Sequence, residues 1–224
     1  MEPHWRLIGI VVASYLIGSF PTGLVVGKVR FGKDIRTMGS GNIGSTNVMR
    51  VLGFKWGLLV QIVDILKGVA AILVALFLGS VAATPGPDPL TDTVTLRIIA
   101  GSSAVIGHVF SAFTGFKGGK GVNTSLGMLL AIAPIDVGVA AVVFLLLLLS
   151  TGYVSLGSIV GAVIVPLSVF VRHHIFGAHV NDYDVLLPFL CVVAIVVMYA
   201  HRSNIRRLIN GTENRFEKVR LFKR

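Results

Sequence analysis

The polar residues best suited to chemistry are concentrated in residues 28–55, which we call the first glycine-rich segment. This run, KVRFGKDIRTMGSGNIGSTNVMRVLGFK, holds five glycines, six Lys or Arg residues and a single acid. Consecutive small residues allow backbone N–H groups to point at one anion, and Arg50 adds a planar fork that can bind phosphate oxygens in pairs. The small residues and neutral donors expected beside it are Gly39, Ser40, Gly41, Asn42, Ser45, Thr46 and Asn47. The alternative is a flexible interfacial loop whose cations contact lipid headgroups.

The second glycine-rich segment, residues 115–121, reads GFKGGKG and stands directly before a short apolar run. A helix beginning there would present free backbone N–H groups beside cations, which favours anion binding. The run is not a nucleotide-binding Walker A loop, because Thr114 replaces its first glycine and no Ser or Thr follows Lys120. The alternative is a basic surface turn. The residues expected to bind an anion here are Gly118, Gly119, Lys120 and Gly121, beside Lys117.

Two further stretches carry candidate residues. His201, Arg202 and Asn204 directly follow the last apolar run, and histidine is the side chain that titrates near neutral pH. Ser155 and Ser158 lie in a polar interruption, YVSLGS, between apolar runs. The alternatives are an interfacial anchor with a basic tail for the first stretch, and helix packing or capping for the two serines.

Three ionisable residues lie inside apolar runs. Asp64 and Lys67 are one helical turn apart, and charges in a membrane are costly unless they are paired or functional. They can pair with each other, or Asp64 can orient a cation such as Arg50. His108 is expected to be a hydrogen-bonded packing residue.

Several function classes are excluded. Residues 39–44 fit the pattern G-x-G-x-x-G, but a dinucleotide-binding unit needs a preceding strand and a βαβ context, which the surrounding apolar runs do not provide. The single cysteine, Cys191, excludes an intramolecular disulfide, and the sequence shows no cluster of metal-ligating residues. We therefore expect neither a metal nor another cofactor. The net charge of +10 is explained better by membrane orientation than by nucleic-acid binding.

The elements that must position these residues are membrane spans. The chain is 54% apolar and only 13% charged, with a mean hydropathy of +0.84, whereas soluble domains are about 25% charged. We predict an all-α integral membrane protein, with a single domain over residues 1–224 and a basic tail from about residue 201. Seven transmembrane helices are predicted, at about residues 5–27, 56–78, 94–113, 122–133, 137–149, 156–171 and 185–200.

Proline and length set local features of this assignment. Pro21, with Gly23, is expected to kink or end the first span, which we interpret as retained rather than as a cleaved signal. The fourth run, at about 12 residues, is too short to cross unless it is tilted and covered by protein or extends into the preceding turn. Pro134 and Asp136 end that run. Residues 80–93 and 172–184 are expected to be loops, and residues 28–55 are expected to form a flexible, cationic surface at the lipid boundary.

The cations are unevenly distributed between the two sides that seven alternating spans define. One side collects residues 28–55, 115–121, 150–155 and the tail, with sixteen of the 20 Lys and Arg residues. The other side collects Arg6, Arg97 and Arg172, together with six acids. The positive-inside rule then places the glycine-rich segments and the C-terminus in the cytoplasm and the N-terminus outside. Five spans would divide the polar segments differently.

Four polar stretches thus reach one face with glycines, cations, hydroxyls and a histidine. This combination suits a phosphate-bearing, water-soluble substrate held beside lipid. A reaction between two anions needs charge neutralisation, positioning and an oxyanion donor. The competing classes are a small organic-phosphate or anion transporter, which needs access from both faces, and a lipid-binding scaffold, which leaves the hydroxyls, asparagines and histidine unexplained.

Six stretches carry a resemblance to a known family: GSFPTGLVVGK, DIRTMGSGNIGSTNVMRVLG, WGLLVQIVDILKG, GHVFSAFTGFKGGKGVNTSLGMLLAIAP, YVSLGSI and HRSNIRRLINGTENRF. In order and over nearly the whole chain, they resemble the bacterial acyl-phosphate:glycerol-3-phosphate acyltransferases (PlsY type). The resemblance implies transfer of a fatty acyl group from acyl-phosphate to the 1-hydroxyl of sn-glycerol 3-phosphate. The products are lysophosphatidic acid and inorganic phosphate, in the first step of phospholipid synthesis. It also implies a seven-helix inner-membrane fold with a cytoplasmic active site, and no acyl-CoA or acyl-carrier-protein donor.

The same resemblance implies roles for individual residues. Catalytic positions fall on Ser40, Arg50, Lys120, Ser155, His201 and Asn204. Ser45 and Asn123 stand where the family usually has Ala, and Ser203 replaces a usual Glu. Either His201 or a substrate phosphate oxygen can take the hydroxyl proton, and either Ser155 or a backbone donor can support the oxyanion.

One other pattern is not expected to be catalytic. His179 and Asp184 fit H-x4-D, which other glycerolipid acyltransferases use. They fall on the predicted outer face, away from the basic segments.

Overall fold

Helices account for the regular structure throughout the part of the chain that the structure describes. The computed structural model describes residues 5–81 and 93–215. Two 3-10 turns, Ile35–Thr37 and Ala112–Thr114, precede α3 and follow α5. The predicted all-α fold is confirmed for these residues. The α-helices are α1 Trp5–Ser19, α2 Thr22–Phe31, α3 Ser45–Leu52, α4 Phe54–Val81, α5 Val94–Val109, α6 Val122–Ile132, α7 Pro134–Thr151, α8 Val154–His174, α9 Tyr183–Ala200 and α10 Arg202–Ile209.

Helix lengths test the predicted membrane spans. Within the described residues, α4, α5, α7, α8 and α9 are long and apolar enough to cross a bilayer. Helices α1 and α2 add a sixth span if this pair, bent by 41°, is counted as one. Helix α6 has only 11 residues, whereas a full span needs roughly 20. The protein therefore has five or six apolar candidate spans by length, and the count of seven stays a prediction.

The bend in the first span follows from its sequence. Helix α1 ends at Ser19 and α2 begins at Thr22, with Pro21 between them. Proline has no backbone N–H and its ring clashes with the preceding turn, so a helix kinks or ends there. The predicted kink is confirmed, and it lies just before the first glycine-rich segment.

The first glycine-rich segment is more ordered than a loop. It contains the last residues of α2, a 3-10 turn and the whole of α3, so the alternative of a flexible loop over residues 28–55 is wrong. The physical reason is a small core in which apolar side chains from the segment pack against α2 and α4. This core consists of Leu24, Ile35, Ile43, Val48 and Val60.

The other predicted connections are shorter than expected. Helix α8 continues to His174 and α9 begins at Tyr183, which leaves a loop between them.

Pro134 begins α7 rather than lying in a loop, because its missing N–H is harmless in the first turn. The tail begins with helix α10. Residues 1–4, 82–92 and 216–224 lie outside the described residues, and so do most of the loop predicted at 80–93 and the end of the tail.

The chain groups into two compact units, Met1–Ile132 and Ala133–Arg224. In the first unit, α4 packs against α1, α3, α5 and α6. Close approach depends on small residues: a Cβ at Gly68 would overlap the backbone of α6, and a Cβ at Gly127 would overlap the carbonyl of Ile65 in α4. Small residues at helix contacts are typical of membrane proteins, where close packing replaces the hydrophobic driving force.

Two arginines show which helix ends lie together in the first unit. Arg6, at the start of α1, donates to the carbonyl of Gly79 at the end of α4 at 2.8 Å. Arg97, at the start of α5, donates to the carbonyl of Ala131 at the end of α6 at 3.2 Å. Helix α6 therefore returns along α5 despite its shortness. Both arginines satisfy carbonyls that have no partner within their own helix.

The second unit contains α7–α10, and α8 packs against both α7 and α9. Its buried acid, Asp136, is fully enclosed. Asp136 accepts hydrogen bonds from Ser168 at 2.7 Å and from Arg172 at 3.0 and 3.1 Å, so α7 is tied to α8 by a neutralised pair. This arrangement satisfies the rule that a charge inside an apolar bundle has a partner.

A methyl group at Gly127 tests the close packing of α6 on α4. We expect Gly127→Ala to destabilise the protein by about 1–3 kcal/mol, because the added Cβ meets the rigid backbone carbonyl of Ile65. Gly9→Ala is the matched control, since a Cβ at Gly9 meets no atom within 4 Å. The measurement is the thermal unfolding midpoint in detergent. Equal midpoints for the two variants would contradict the packing described.

Candidate anion-binding site

The buried side chain of Asn47 joins the turns of the first glycine-rich segment by hydrogen bonds. Its side-chain amide donates to the carbonyls of Ile35, Met38 and Asn42 at 3.2, 3.0 and 2.9 Å. Its Oδ1 accepts from the backbone N–H of Ser40 at 2.8 Å. The residue is 2% exposed. Asn47 therefore shapes the segment from within, and a direct contact between its side chain and substrate stays a prediction.

The turn at Gly39 fits tightly around Asn47. Gly39 has φ +60°, a left-handed conformation that glycine adopts without strain. A Cβ at Gly39 would also overlap Oδ1 of Asn47. Asn42 stabilises the next turn, because its Oδ1 accepts from the N–H of Gly44 at 2.8 Å just before α3 begins. Together these contacts hold Ser40 at the exposed surface of the segment.

Several backbone N–H groups that were expected to face an anion are already engaged. The N–H of Ser40 donates to Asn47, and the N–H of Gly41 donates to the carbonyl of Met38 at 3.0 Å. The N–H groups of Gly118 and Gly119 donate to carbonyls at the end of α5, both at 3.0 Å. The expectation that these four N–H groups are free is therefore wrong, because turns within membrane-protein segments must satisfy their own backbone groups.

In contrast to those N–H groups, four polar side chains of the two segments have no partner among the described residues. Ser40, Thr46 and Arg50 are exposed, and none of the three side chains has a hydrogen bond or ion pair with a described residue. Lys120 in the second glycine-rich segment is likewise exposed and unpaired within the described ranges. An exposed cation without a carboxylate partner is ready to bind an external anion.

Other cations of the first segment are partly neutralised. Asp34 accepts from Arg36 at 2.7 Å and lies 3.9 Å from Lys28. The side-chain hydrogen bond from Arg36, with a further backbone bond, lowers the pKa of Asp34 to about 2. Asp34 is therefore ionised at neutral pH and offsets charge on the α2 side of the segment.

The second glycine-rich segment lies against the end of α5. The ring of His108 lies directly under Gly119, where a Cβ would overlap Nε2. A Cβ at Gly118 would overlap the carbonyl of His108. These two glycines therefore allow the segment to lie flat on α5, and Lys120 follows at the exposed surface just before α6.

The two glycine-rich segments meet at one hydrogen bond. Asn123 in the first turn of α6 donates from Nδ2 to Oγ of Ser45, the first residue of α3, at 3.0 Å. This contact brings the N-termini of α3 and α6 together, and α3 has no side-chain cap. Helix N-termini carry partial positive charge and unpaired N–H groups, so two of them side by side favour an anion.

Ser155 and Asn204 converge on one carboxylate in the second unit. Ser155 donates from Oγ to Oε1 of Glu213 at 3.0 Å, and Asn204 donates from Nδ2 to the same oxygen at 2.9 Å. Arg207 donates to Oε2 at 2.6 Å. The Glu213 side chain is only 7% exposed. Sequence reasoning missed Glu213, although it is one of only two acids in a strongly basic tail, which was a usable signal.

The Glu213 carboxyl is held in its charged form. Burial alone raises its pKa, but hydrogen bonds from Asn204, Arg207 and Ser155 and the charge of Arg207 outweigh burial. Its pKa is therefore below the usual range for glutamate.

His201 stands between α9 and α10. Its Nδ1 lies 2.9 Å from the carbonyl of Val197. When Nδ1 carries the proton and donates to that carbonyl, Nε2 is left as a proton acceptor. The neighbouring Arg202 donates to the carbonyl of Tyr199 at 3.2 Å and lies over its ring at 4.5 Å, as expected for an interfacial anchor.

The remaining candidates have structural partners. Asp64 pairs with Lys67 at 3.0 Å, which is one of the two alternatives that the sequence left open. Ser158 donates to the carbonyl of Val154 at 3.0 Å, as a packing residue does. Nδ1 of His108 has no hydrogen-bond partner among the described residues, so the expected hydrogen bond is absent at that atom. No group of three metal-ligating side chains occurs within residues 5–81 and 93–215.

Comparison with known proteins gives consistent matches. The family model described as glycerol-3-phosphate acyltransferase matches residues 8–211. The glycerol-3-phosphate acyltransferase of Chlorobium limicola is 46% identical over 227 residues, covering 93% of this chain and 96% of the relative. That of Chlorobaculum tepidum is 45% identical over 225 residues, covering 93% and 95%.

Two solved structures are also similar. The crystal structure of PlsY (YgiH), an integral membrane glycerol 3-phosphate acyltransferase, in its glycerol 3-phosphate form has a TM-score of 0.73 and 36% identity. That match covers 94% of this chain and 96% of the solved one. The lysophosphatidic acid form of the same protein has a TM-score of 0.72 and 37% identity, covering 93% and 94%.

A pH series tests the convergence of donors on Glu213. Because the pKa of Glu213 is lowered in the folded state, its contribution to stability is complete above the usual glutamate pKa of about 4.3 and is lost as the pH falls through the folded-state value. Thermal unfolding of Glu213→Gln in detergent should therefore depend less on acid pH than unfolding of the wild type. Asp184→Asn, which removes an exposed carboxyl, is the control and should keep the wild-type dependence. An unchanged dependence in Glu213→Gln would contradict this account.

Proposed function

Because this chain belongs to the glycerol-3-phosphate acyltransferase family, we propose that its acyl donor is acyl-phosphate and its acceptor the 1-hydroxyl of sn-glycerol 3-phosphate. The products are then lysophosphatidic acid and inorganic phosphate. This is the first step of bacterial phospholipid synthesis, and the protein requires no cofactor for it. Its molecular partners are the two substrates and the surrounding membrane lipids.

The observation that carries this proposal is the meeting of the two glycine-rich segments. The 3.0 Å hydrogen bond between Asn123 and Ser45 places two helix N-termini together. Arg50 on α3 and Lys120 before α6 are both exposed and unpaired within the described residues. Positive helix ends with two open cations suit a phosphate group. Ser40, Asn42 and Thr46 add hydroxyl and amide groups to the first glycine-rich segment.

We propose seven spans, with the N-terminus outside and the C-terminus and active site in the cytoplasm of a bacterial cell. Helix α6 is assigned as the short fourth span, and the contact between Arg97 at the start of α5 and Ala131 at the end of α6 supports this assignment. It is covered by α4 and α5, so its length need not match the bilayer. The excess of Lys and Arg on the side of the glycine-rich segments supports the orientation. Both compact units then belong to one membrane domain over residues 1–224.

The proposed reaction requires positioning more than covalent chemistry. The 1-hydroxyl oxygen attacks the acyl carbonyl carbon and forms the ester bond. The bond between that carbon and the phosphate oxygen breaks, and phosphate leaves with the bonding electrons. Arg50 and Lys120 lower the repulsion between the two anionic substrates, which otherwise opposes their approach. The proton of the hydroxyl passes to a base.

We assign supporting roles to Ser155, Asn204 and His201. One N–H of Asn204 donates to Glu213, and its second N–H remains available to the substrate. Ser155 supports the oxyanion only if it exchanges its bond to Glu213 for one to the substrate; a backbone donor is the alternative. Glu213 fixes the orientation of both side chains.

The base is either Nε2 of His201 or a phosphate oxygen of a substrate. Removing a general base lowers the rate of the chemical step by roughly 100- to 10,000-fold. A base role therefore predicts that His201→Ala and His201→Gln lose kcat. The phosphate alternative predicts that both variants raise KM and keep the chemical step, as measured in single-turnover reactions.

Phosphate release tests the proposed donor directly. Purified protein in a lipidic medium should release phosphate from palmitoyl-phosphate only when glycerol 3-phosphate is present, with lysophosphatidic acid formed in equal amount. Lys120→Ala should lower this rate by about 100-fold, because one charged contact to a substrate phosphate is lost.

The control and the contrary outcome separate the alternatives. Lys33→Ala removes an exposed cation of the first glycine-rich segment that has no assigned role, and it should keep nearly the wild-type rate. No product from folded wild-type protein would contradict the proposed donor and favour an anion-binding or transport role. Product formed with another acyl donor alone would keep the family activity and refute acyl-phosphate.

A further inference from the structure

A buried ion pair in α4 has no part in the proposed chemistry. Asp64 is 2% exposed and Lys67 is 7% exposed, and their charged atoms lie 3.0 Å apart. Burying two charges costs several kcal/mol per ion before their attraction offsets it, so such a pair is weak evidence for added stability. Its contacts with other elements therefore indicate what it does.

The pair holds both sides of the break between α1 and α2. Nζ of Lys67 donates to the carbonyl of Phe20, directly before Pro21, at 3.1 Å. Oδ1 of Asp64 accepts from the hydroxyl of Thr22, the first residue of α2, at 3.0 Å. Phe20, at the start of the break, and Thr22, at the start of α2, are thereby fixed to one turn of α4.

Helix α2 is the support of the first glycine-rich segment. A Cβ at Gly23, the residue after Thr22, would overlap the carbonyl of Ile43 in that segment. Leu24 belongs to the same core as Ile35 and Ile43. A shift at the start of α2 must therefore move the turn that carries Ser40.

The same carboxylate also faces the support of the second glycine-rich segment. Nδ1 of His108 lies 3.9 Å from Oδ1 of Asp64, and His108 is 5% exposed. The ring of His108 lies under Gly119, and its carbonyl accepts from the N–H of Gly119 at 3.0 Å. Asp64 is therefore hydrogen-bonded through Thr22 to the support of the first segment, and it lies close to His108, the support of the second, without a hydrogen bond to it.

We propose that Asp64, neutralised by Lys67, is a positioning residue that sets the two glycine-rich segments in register for the phosphate of glycerol 3-phosphate. This inference rests on the proposed function of those segments. It gives the buried pair a geometric role, because apolar side chains of similar size would fill the space without binding Thr22 and the carbonyl of Phe20.

The test replaces the whole pair, because removing one partner leaves an uncompensated buried charge. Asp64→Leu/Lys67→Met should fold with a thermal midpoint near that of the wild type, since apolar replacement of a buried ion pair is often neutral or stabilising. Its KM for glycerol 3-phosphate should nevertheless rise about tenfold or more, which corresponds to about 1.4 kcal/mol. Its KM for acyl-phosphate should change little, because a register error acts on one phosphate contact.

A matched pair in the second unit provides the control. Asp136→Leu/Arg172→Met removes an ion pair whose carboxylate is equally buried, although Arg172 is 26% exposed, and which contacts neither glycine-rich segment through the bonds described. Its KM for glycerol 3-phosphate should remain at the wild-type value. Thr22→Val is the milder variant, since it removes only the hydroxyl that binds Asp64, and it should raise the same KM by a smaller factor.

The outcomes separate this inference from the proposed function. Wild-type KM for glycerol 3-phosphate in both Asp64→Leu/Lys67→Met and Thr22→Val would overturn the positioning role, as would an equal rise in the second-unit control. If Asp64→Leu/Lys67→Met does not fold, Thr22→Val decides. If the wild type forms no product from acyl-phosphate, the proposed donor fails, and calorimetric binding of glycerol 3-phosphate to the same variants still tests the register.

Discussion

The constraint on which the site depends is the close approach of the first turns of α3 and α6, which in this chain is bridged by the hydrogen bond from Asn123 to Ser45. It joins two stretches of chain that are far apart in sequence, and both lead into a helix after a run of glycines. Neither helix start would concentrate positive potential strongly alone, but two adjacent starts with Arg50 and Lys120 beside them do. The rest of the first unit, from the packing of α6 on α4 to the break at Pro21, keeps these starts together.

The apolar surroundings explain why charged side chains and helix-end carbonyls elsewhere in the protein are paired with each other. Inside a bilayer, backbone and charged groups must be satisfied within the protein. Arg6 and Arg97 accordingly bind carbonyls at helix ends, and Asp136 is enclosed by Ser168 and Arg172. Cations that lack such partners among the described residues, notably Arg50 and Lys120, are therefore the informative ones.

Much of this could be predicted from sequence. The apolar runs predicted the long helices, and Pro21 predicted the break between α1 and α2. Both predictions were possible because both signals are local in the sequence. The order within residues 28–55 could not be predicted, since Ile35, Ile43 and Val48 follow no helical or strand period. The roles of Asn47 and Glu213 were missed for a related reason: each acts through partners that only the fold brings near. The engaged N–H groups of the second glycine-rich segment likewise depend on its contact with α5.

Equilibrium binding of glycerol 3-phosphate, without acyl donor, tests the central claim that the two glycine-rich segments form one phosphate site. Arg50→Ala and Lys120→Ala should each weaken binding about tenfold or more, as expected for loss of a charged contact. Lys28→Ala, which removes an exposed cation already 3.9 Å from Asp34, should leave binding nearly unchanged. Equal weakening by all three variants would mean that a diffuse positive surface attracts the ligand, and would contradict a defined site.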